Sequence, residues 1–283
     1  RIIKMENIYR YFNCKIRQVL EKYEIKNIYE IRIRVNKNVI LNTGMGEIIL
    51  DVICNEKDVI DTFNLITEYS AYAYEQNMAE GFITIPGGHR VGIGGYMAGT
   101  IYDKPIVRNI RFINFRINHH IKNCSEMIFP KLYKNNHLCN TLIISPPGLG
   151  KTTLLRDLVY KISENFAGTS LCVIDERNEI SGCYKGVPTM DLGKRTDVIS
   201  NCSKSKGILM AIRSMAPTLI AVDEIGTAQD IEALEYANSS GIFIIATVHG
   251  KNQADVIKKL GKDFVDLFEK KICILNIGEY LCV

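Results

Sequence analysis

No C-x-x-C pair occurs in this 283-residue sequence, although it has nine cysteines. The thiols are scattered and odd in number, which argues against a zinc site or a disulfide framework and points to reduced, buried thiols in a cytosolic protein. No apolar run approaches the roughly 20 residues that a bilayer-spanning helix needs. The longest, such as Ile242 to Val248, are strand-length. No signal peptide, internal repeat or low-complexity tract is visible. The chain opens on Arg1 rather than Met, so a few further residues are expected before it. Charge of one sign is not in large excess: the net +4 permits an acidic partner such as nucleotide, nucleic acid or anionic lipid, but demands none.

What is present is apolar. Hydrophobic residues make up 47% against 23% charged, enough for one or two domains whose cores need no covalent support. Residues 1–118 read as a smaller α+β domain. Ile8, Phe12, Ile16, Val19, Leu20 and Tyr23 recur at helical spacing over 7–23. Arg10, Lys15, Arg17 and Lys22 flank that stripe and would suit an anionic membrane, though such a helix more often docks on its own domain. Tyr29, Ile31, Ile33 and Val35 alternate with Glu30, Arg32 and Arg34, which is strand spacing. Asn55 and Asp58 suit the cap of a second helix running to about Met78. The glycine-rich "GFITIPGGHRVGIGGYMAG", 81–99, suggests a β-ribbon with tight turns, and 109–118 a further strand. Residues 119–140 are polar and read as a linker with a short helix. From Thr141, buried strands at 141–145, 170–175, 218–223, 242–248 and 272–277 alternate with helices. That rhythm indicates an α/β domain over 141–283 with a mostly parallel sheet covered on both faces.

The stretch "LIISPPGLGKTTLLRD", 142–157, has a strand, a glycine loop and a helix in succession. It follows the phosphate-loop pattern G-x-x-x-x-G-K-[ST], except that Ser145 stands at the first glycine. Backbone groups of such a loop surround phosphates at a helix N-terminus. The expected nucleotide-binding residues are Pro147, Gly148, Leu149, Gly150, Lys151, Thr152 and Thr153. Lys151 would reach the β- and γ-phosphates, and the Thr152 hydroxyl would bind Mg²⁺. A serine with negative φ can replace the first glycine at little cost.

"PTLIAVDEIG", 217–226, is an apolar strand ending in two carboxylates. Asp223 can hold Mg²⁺ through water, and Glu224 can polarise an attacking water. Two carboxylates at a strand end also occur simply as solvated groups, but the loop upstream favours chemistry. "GIFIIATVHG", 241–250, ends in Thr247 and His249; this strand is expected between the phosphate-loop strand and the Asp-Glu strand, facing the γ-phosphate. "LCVIDERNEI", 171–180, adds Asp175, Glu176, Arg177 and Glu179 at another strand end. The general base is either Glu224 or an acid of the 175–179 cluster, to be decided by reach. Arg195 and Arg213 can supply charge to a neighbouring copy's nucleotide, or be ordinary surface arginines.

With these residues in view, "AIRSMAPTLIAVDEIGTAQDIEALEYANSSGIFIIATVHG" resembles the second half of the type II/IV secretion ATPases, which are RecA-like. Glu224, Thr247 and His249 match that pattern, while Asp223 stands where it has glycine. "IDERNEI" is similar to its acidic E-D-P-x-E box, with Arg177 in place of the proline. "GFITIPGGHRVGIGG", "PPGLGKTTLLRD", "DERNEI", "RTDV", "IRSMAP" and "VDEIG" together resemble, in order and spacing, the stage III sporulation protein AA family of endospore-forming bacteria. The resemblance implies a Mg²⁺-dependent ATPase with an N-terminal domain before a RecA-like motor. It also implies a hexameric ring, cytoplasmic and peripheral at the mother-cell side of the forespore membrane, energising channel proteins of its operon. By the same resemblance, arginines of the N-terminal domain reach the nucleotide; Arg90, Arg108, Arg111 and Arg116 are the candidates, against the plainer reading of a basic sheet face.

Two other classes compete. A nucleic-acid-dependent RecA-like NTPase would use His89 and Arg90 on a phosphate backbone, but +4 is a weak footprint and aromatics are not interleaved there. A non-hydrolysing nucleotide sensor is disfavoured by the intact Lys151, Thr152, Asp223 and Glu224. The stroke of the motor is expected as a hinge motion centred on 119–125.

Overall fold

The computed structural model describes residues 8–75, 78, 81–101, 104–119, 121–134 and 137–282. Asn7, residues 76–77, His120 and the Asn135–Asn136 pair, which the sequence assigns to helices and linker, lie outside the described residues. The chain divides into two compact units, Arg1–His119 and His120–Val283.

In the first unit, strands β1 (Ile28–Arg34), β2 (Lys37–Thr43), β3 (Gly46–Cys54), β4 (Phe82–Ile85), β5 (His89–Ile101) and β6 (Lys104–Arg116) form a sheet in the order β3-β2-β1-β6-β5-β4. All neighbours are antiparallel. Period-2 alternation turns Ile31, Ile33, Leu41, Val91, Ile113 and Phe115 inward, where they share a core with Phe12, Ile16, Leu20 and Phe63. The Phe12 and Phe115 rings meet at 4.6 Å. Gly95 on β5 is needed because a Cβ there would come within 1.9 Å of the Asn109 carbonyl oxygen on β6.

Three local expectations change. The 7–23 helix is a 3₁₀ turn, Ile8–Tyr11, followed by α1 (Cys14–Leu20). Asn13 separates them, because its side chain accepts from Ile16 N–H and caps α1. The second helix, α2 (Glu56–Ile66), begins on the expected Asn55–Asp58 capping box but stops well before Met78. Thr67 bonds back to the Phe63 carbonyl at 3.0 Å, and Glu68 and Tyr69 turn to positive φ of 51° and 59°. On β1, an irregularity between Ile28 and Glu30 sends Ile28 inward and leaves Tyr29 exposed.

The second unit carries strands β7 (Tyr133–Lys134) and β8 (His137–Leu138) as a small hairpin, then β9 (Thr141–Ser145), β10 (Leu171–Asp175), β11 (Thr196–Ser200), β12 (Leu219–Val222), β13 (Phe243–His249), β14 (Lys270–Asn276) and β15 (Glu279–Cys282). The main sheet runs β11-β10-β12-β13-β9-β14-β15 and is parallel except for the edge strand β15. Strand β13 lies between β9 and β12. The helices are α3 (Lys151–Asn165), α4 (Lys204–Ser214), α5 (Ala228–Ser239), α6 (Gln253–Leu260) and α7 (Lys262–Asp266). Ile144, Ile174, Val222 and Ile244 face α4 to α7 through Ile208, Leu234, Val256 and Phe264. Ile143, Val173, Ala221 and Ile245 face α3 through Leu154, Leu155, Leu158 and Val159. Burial on both faces explains why these strands read as unbroken apolar runs. Strands β11 and β15 carry mixed polar residues and have no such signal in the sequence.

The stretch read as a linker is built into this unit. Ile128 and Leu132 belong to the core against α3. The buried Asp157 carboxylate of α3 accepts from the Asn123 and Ser125 N–H groups at 2.9 and 2.8 Å and from the Ser125 hydroxyl at 2.5 Å. Its regular structure among the described residues is a 3₁₀ turn, Phe129–Leu132, and the β7–β8 hairpin.

Candidate functional site

Strand β9 ends at Ser145, and the chain turns through residues 146–150 into α3. Gly148 and Gly150 take φ of 81° and 89°, the left-handed region that only glycine enters freely. Gly150 is the N-cap of α3 and has no side chain to satisfy the first-turn N–H groups, so the terminus is open to an anion. Ser145 needs no such freedom. It is a paired, fully buried strand residue opposite His249, outside the positive-φ set, and its hydroxyl donates to the Pro146 carbonyl at 2.8 Å. The missing glycine therefore falls where the backbone is still extended.

Three strand ends converge on the open helix terminus. The buried Lys151 Nζ donates to His249 Nδ1 at 2.9 Å. An ammonium has only donors, so Nδ1 is the acceptor, and His249 Nε2–H is left to donate to Glu224 Oε1 at 2.8 Å. Thr152 Oγ1 donates to Asp223 Oδ2 at 2.5 Å, and the Thr247 hydroxyl donates to the other oxygen of Asp223. Glu224 N–H donates to Thr247 Oγ1 at 2.8 Å. Glu224 itself has φ of 52°, a left-handed turn directly after β12 that throws its side chain across the strand ends. Its second oxygen accepts from Arg177 Nη1 at 2.8 Å.

The electrostatics follow from this packing. Burial lowers the Lys151 pKa, against the raising influence of Asp223, Glu224 and Glu179. Burial pushes the Asp223 carboxyl up, opposed by the Thr152 and Thr247 hydrogen bonds. Burial also acts to raise Glu224, but the His249 hydrogen bond and the nearby His249, Arg177 and Lys151 outweigh it and hold it below the usual carboxylate range.

Of the acidic cluster after β10, Asp175 is fully engaged. It accepts from the N–H groups of Glu179, Ile180 and Ser181 at 2.9, 3.1 and 2.7 Å and from the Ser181 hydroxyl at 2.5 Å. From beneath, the buried Arg156 of α3 donates to the carbonyls of Ile180 and Glu179 at 2.8 and 2.6 Å. Glu176 pairs with Lys204 at the start of α4. A small cleft opens between this loop and the end of β12, lined by Asp175, Glu176, Arg177, Glu179, Lys204, Asp223 and Glu224. Among the described residues no three His, Cys, Asp or Glu side chains form a metal-binding group.

The remaining sequence candidates lie elsewhere. Arg195 precedes β11 and donates to the Ser163 and Glu164 carbonyls at 2.6 and 3.3 Å, at the C-terminal end of α3. Arg213 is exposed in the last turn of α4. Both positions are at the amino edge of the sheet, opposite the phosphate loop of their own chain. Arg111 and Arg116 are on β6 of the first unit, where Arg111 pairs with Glu56 at 2.9 Å. Arg108 is on the same strand, its side chain outside the described residues. Arg90 stacks over Phe82 at 4.8 Å. His89 is buried and accepts the Asn118 N–H at 3.0 Å, so it is not presented to a nucleic-acid backbone. Two residues escaped the sequence reading: Arg156, hidden in the apolar pattern of α3, and Arg177 as a partner of Glu224. The departure of Arg177 from the E-D-P-x-E box was the one available signal for the latter.

A parallel sheet with a glycine loop at the end of β9 and carboxylates at the ends of β10 and β12 is a RecA-like phosphate-loop fold. The Legionella pneumophila ATPase DotB superposes with a TM-score of 0.66 at 16% identity, covering 96% of this chain and 78% of its own. The pilus retraction motor PilT, solved with bound ADP, superposes at 0.62 and 15% identity, covering 91% of this chain and 76% of its own. The chain belongs to the sporulation stage III, protein AA family, whose model matches residues 3–279. It is 38% identical over 235 residues to stage III sporulation protein AA of Bacillus subtilis (strain 168), covering 82% of this chain and 76% of that protein.

Proposed function

We propose that the chain binds ATP with Mg²⁺ and hydrolyses it, as the ATPase of a sporulation secretion or channel complex. The observation that carries this is the 2.5 Å hydrogen bond from Thr152 to Asp223, which joins the phosphate-loop helix to the Asp-Glu strand end. The donor set fits the ion: Mg²⁺ prefers hard oxygens and few protein ligands beside a nucleotide's phosphates. The open terminus of α3 and the buried Lys151 fit the phosphates. Mg²⁺ and ATP together supply the electrophilic phosphoryl group and neutralise charge developing on its oxygens.

The chain's own groups do the rest. Pro147, which has no N–H, shapes the loop, Gly148 to Thr153 offer their backbone N–H groups to the phosphates, and Lys151 offers its ammonium. Thr152 and Asp223 would hold the ion. Glu224 is the general base, accepting the proton of the attacking water at a carboxylate oxygen. Asp175 is not, because four donors already occupy it. Glu176 sits at the cleft wall, and His249 links Lys151 to Glu224.

Arg195 and Arg213, at the amino edge of their own sheet, serve only if a second copy brings them to the nucleotide, which fits a ring, taken as hexameric; Arg111 and Arg116 of the first unit are the candidates for N-terminal arginines that reach a nucleotide. In this reading ATP turnover drives motion of the first unit, and the complex acts peripherally on the mother-cell side of the forespore membrane. The likenesses to a sporulation protein and to a pilus retraction motor support that assignment. No helix among the described residues is long and apolar enough to cross a membrane; the partners proposed at the membrane are channel proteins.

The test is steady-state ATP hydrolysis across a range of protein concentrations, with Lys151→Ala and Glu224→Gln alongside nucleotide-binding titrations. Activity rising with assembly and lost in both variants supports the reading. Hydrolysis equal in wild type and both variants overturns it.

A further inference from the structure

Glu224 is held at both carboxylate oxygens, by His249 on Oε1 and by Arg177 on Oε2, each at 2.8 Å. The residue needs such support. It stands at a left-handed φ of 52° on a turn, with no helix or strand to fix its rotamer, and its side chain is 23% exposed. A single hydrogen bond leaves a carboxylate free to rotate about the bond to its chain; two bonds from opposite sides fix the plane of the group. Arg177 comes from a rigid platform. Its loop is clamped by the four donors on Asp175 and by Arg156 from below, while Arg177 itself is 61% exposed at the cleft mouth. That clamp explains why Asp175 is so heavily bonded: it sets the backbone from which Arg177 reaches across the cleft.

We infer that Arg177 is a positioning residue for hydrolysis, aiming the Glu224 carboxylate into the cleft from the side opposite His249. It acts through Glu224, the carboxylate it bonds. The proline at the matching place of the E-D-P-x-E box has no side-chain donor, so the device belongs to the D-E-R-N-E-I loop. The inference rests on the proposed ATPase reading for its kinetic consequence, but not for the geometry itself.

Two measurements test it. In the kinetic arm, Arg177→Ala lowers kcat about 10-fold with KM within about 2-fold of wild type, the size expected for losing one aligned hydrogen bond to the base. Arg177→Lys, which keeps a single-point donor, recovers most of that loss. In the spectroscopic arm, nucleotide-free protein labelled with ¹⁵N-histidine is compared with the same variants. Wild-type His249 shows a protonated, hydrogen-bonded Nε2 and an accepting Nδ1. Arg177→Ala weakens the Nε2–H signature by letting Glu224 turn away, and Arg177→Lys restores it. An unchanged His249 spectrum in Arg177→Ala overturns the inference, as does an unchanged kcat or an equal loss in Arg177→Lys. If wild type hydrolyses nothing, the ATPase reading fails, and the nucleotide-free spectra still decide whether Arg177 holds Glu224.

Discussion

Lys151 and His249 are 98 residues apart and 2.9 Å from each other, Nζ to Nδ1. The buried lysine of the glycine loop is thus bonded to an imidazole, which in turn binds Glu224. On the proposed reading a phosphate in the loop would compete with His249 for that ammonium, which would link occupation of the loop to the partner of Glu224.

That linkage separates binding from chemistry. Lys151→Ala is expected to weaken ATP affinity at least about 10-fold and to lower kcat/KM about 100-fold or more. Glu224→Gln keeps the size and one donor-acceptor pattern, so affinity stays within about 3-fold while kcat falls on the order of 100-fold. Equilibrium binding of a fluorescent ATP analogue beside steady-state turnover distinguishes them; parallel losses in both quantities for Glu224→Gln would remove it as the base.

Asp175 offers the converse case. Asp175→Asn replaces an acceptor oxygen by a donor facing N–H groups of residues 179–181, and is expected to cost about 2 kcal/mol of stability in the second unit. Chemical denaturation of the variant checks this. A fall in kcat with unchanged denaturation would instead make Asp175 a chemical participant.

Ser145→Gly restores the consensus loop but gains nothing, because Ser145 is an extended strand residue. ATP affinity is expected to stay within about 2-fold, with stability lower by about 0.5–1 kcal/mol from the extra freedom of glycine. A binding titration showing a tenfold gain would mean the serine constrains the loop.

Asp157 ties residues 123–125 to the phosphate-loop helix. Asp157→Ala leaves the N–H groups of Asn123 and Ser125 without their acceptor, an expected loss of about 3 kcal/mol. Hydrogen exchange at those two amides reads it directly; retained protection would show that packing of Ile128 and Leu132 alone holds the segment.

His89 makes the first unit acid-sensitive. Burial, with a smaller contribution from His119, depresses its pKa to about 4, against 6.5 for the free group. The folded ring is neutral and accepts from Asn118, whereas the unfolded chain takes up a proton below 6.5. Unfolded protein binds more protons between those values, so this stabilisation is complete above pH 6.5 and is lost as pH falls toward 4, on the order of 3 kcal/mol. Asn118 amide exchange should accelerate over that window, and His89→Gln should flatten the dependence.

Read alone, the amino-acid sequence determined what local chemistry encodes. Largely apolar runs at 141–145 and 170–175 read as strands buried on both faces, and glycines at 148 and 150 before Lys151 read as a turn of the phosphate-loop pattern into a helix. The capping box at Asn55 and Asp58 marked a helix start with the same reliability, because its bonds span three residues. Helix ends were less legible: the stop at Ile66 depends on a back-bonded Thr67 and two left-handed residues that no periodicity announces. Strand β11 has no apolar run and exists because it pairs with β10. The division of labour among the acids was beyond the sequence altogether. Asp175 and Glu224 read as equivalent strand-end carboxylates; four donors from its own loop occupy the first, while the second meets His249 25 residues onward and Arg177 47 residues back. Those partners meet only because β10, β12 and β13 lie side by side with their carboxyl ends together, and a one-dimensional pattern carries no record of which loops share an edge.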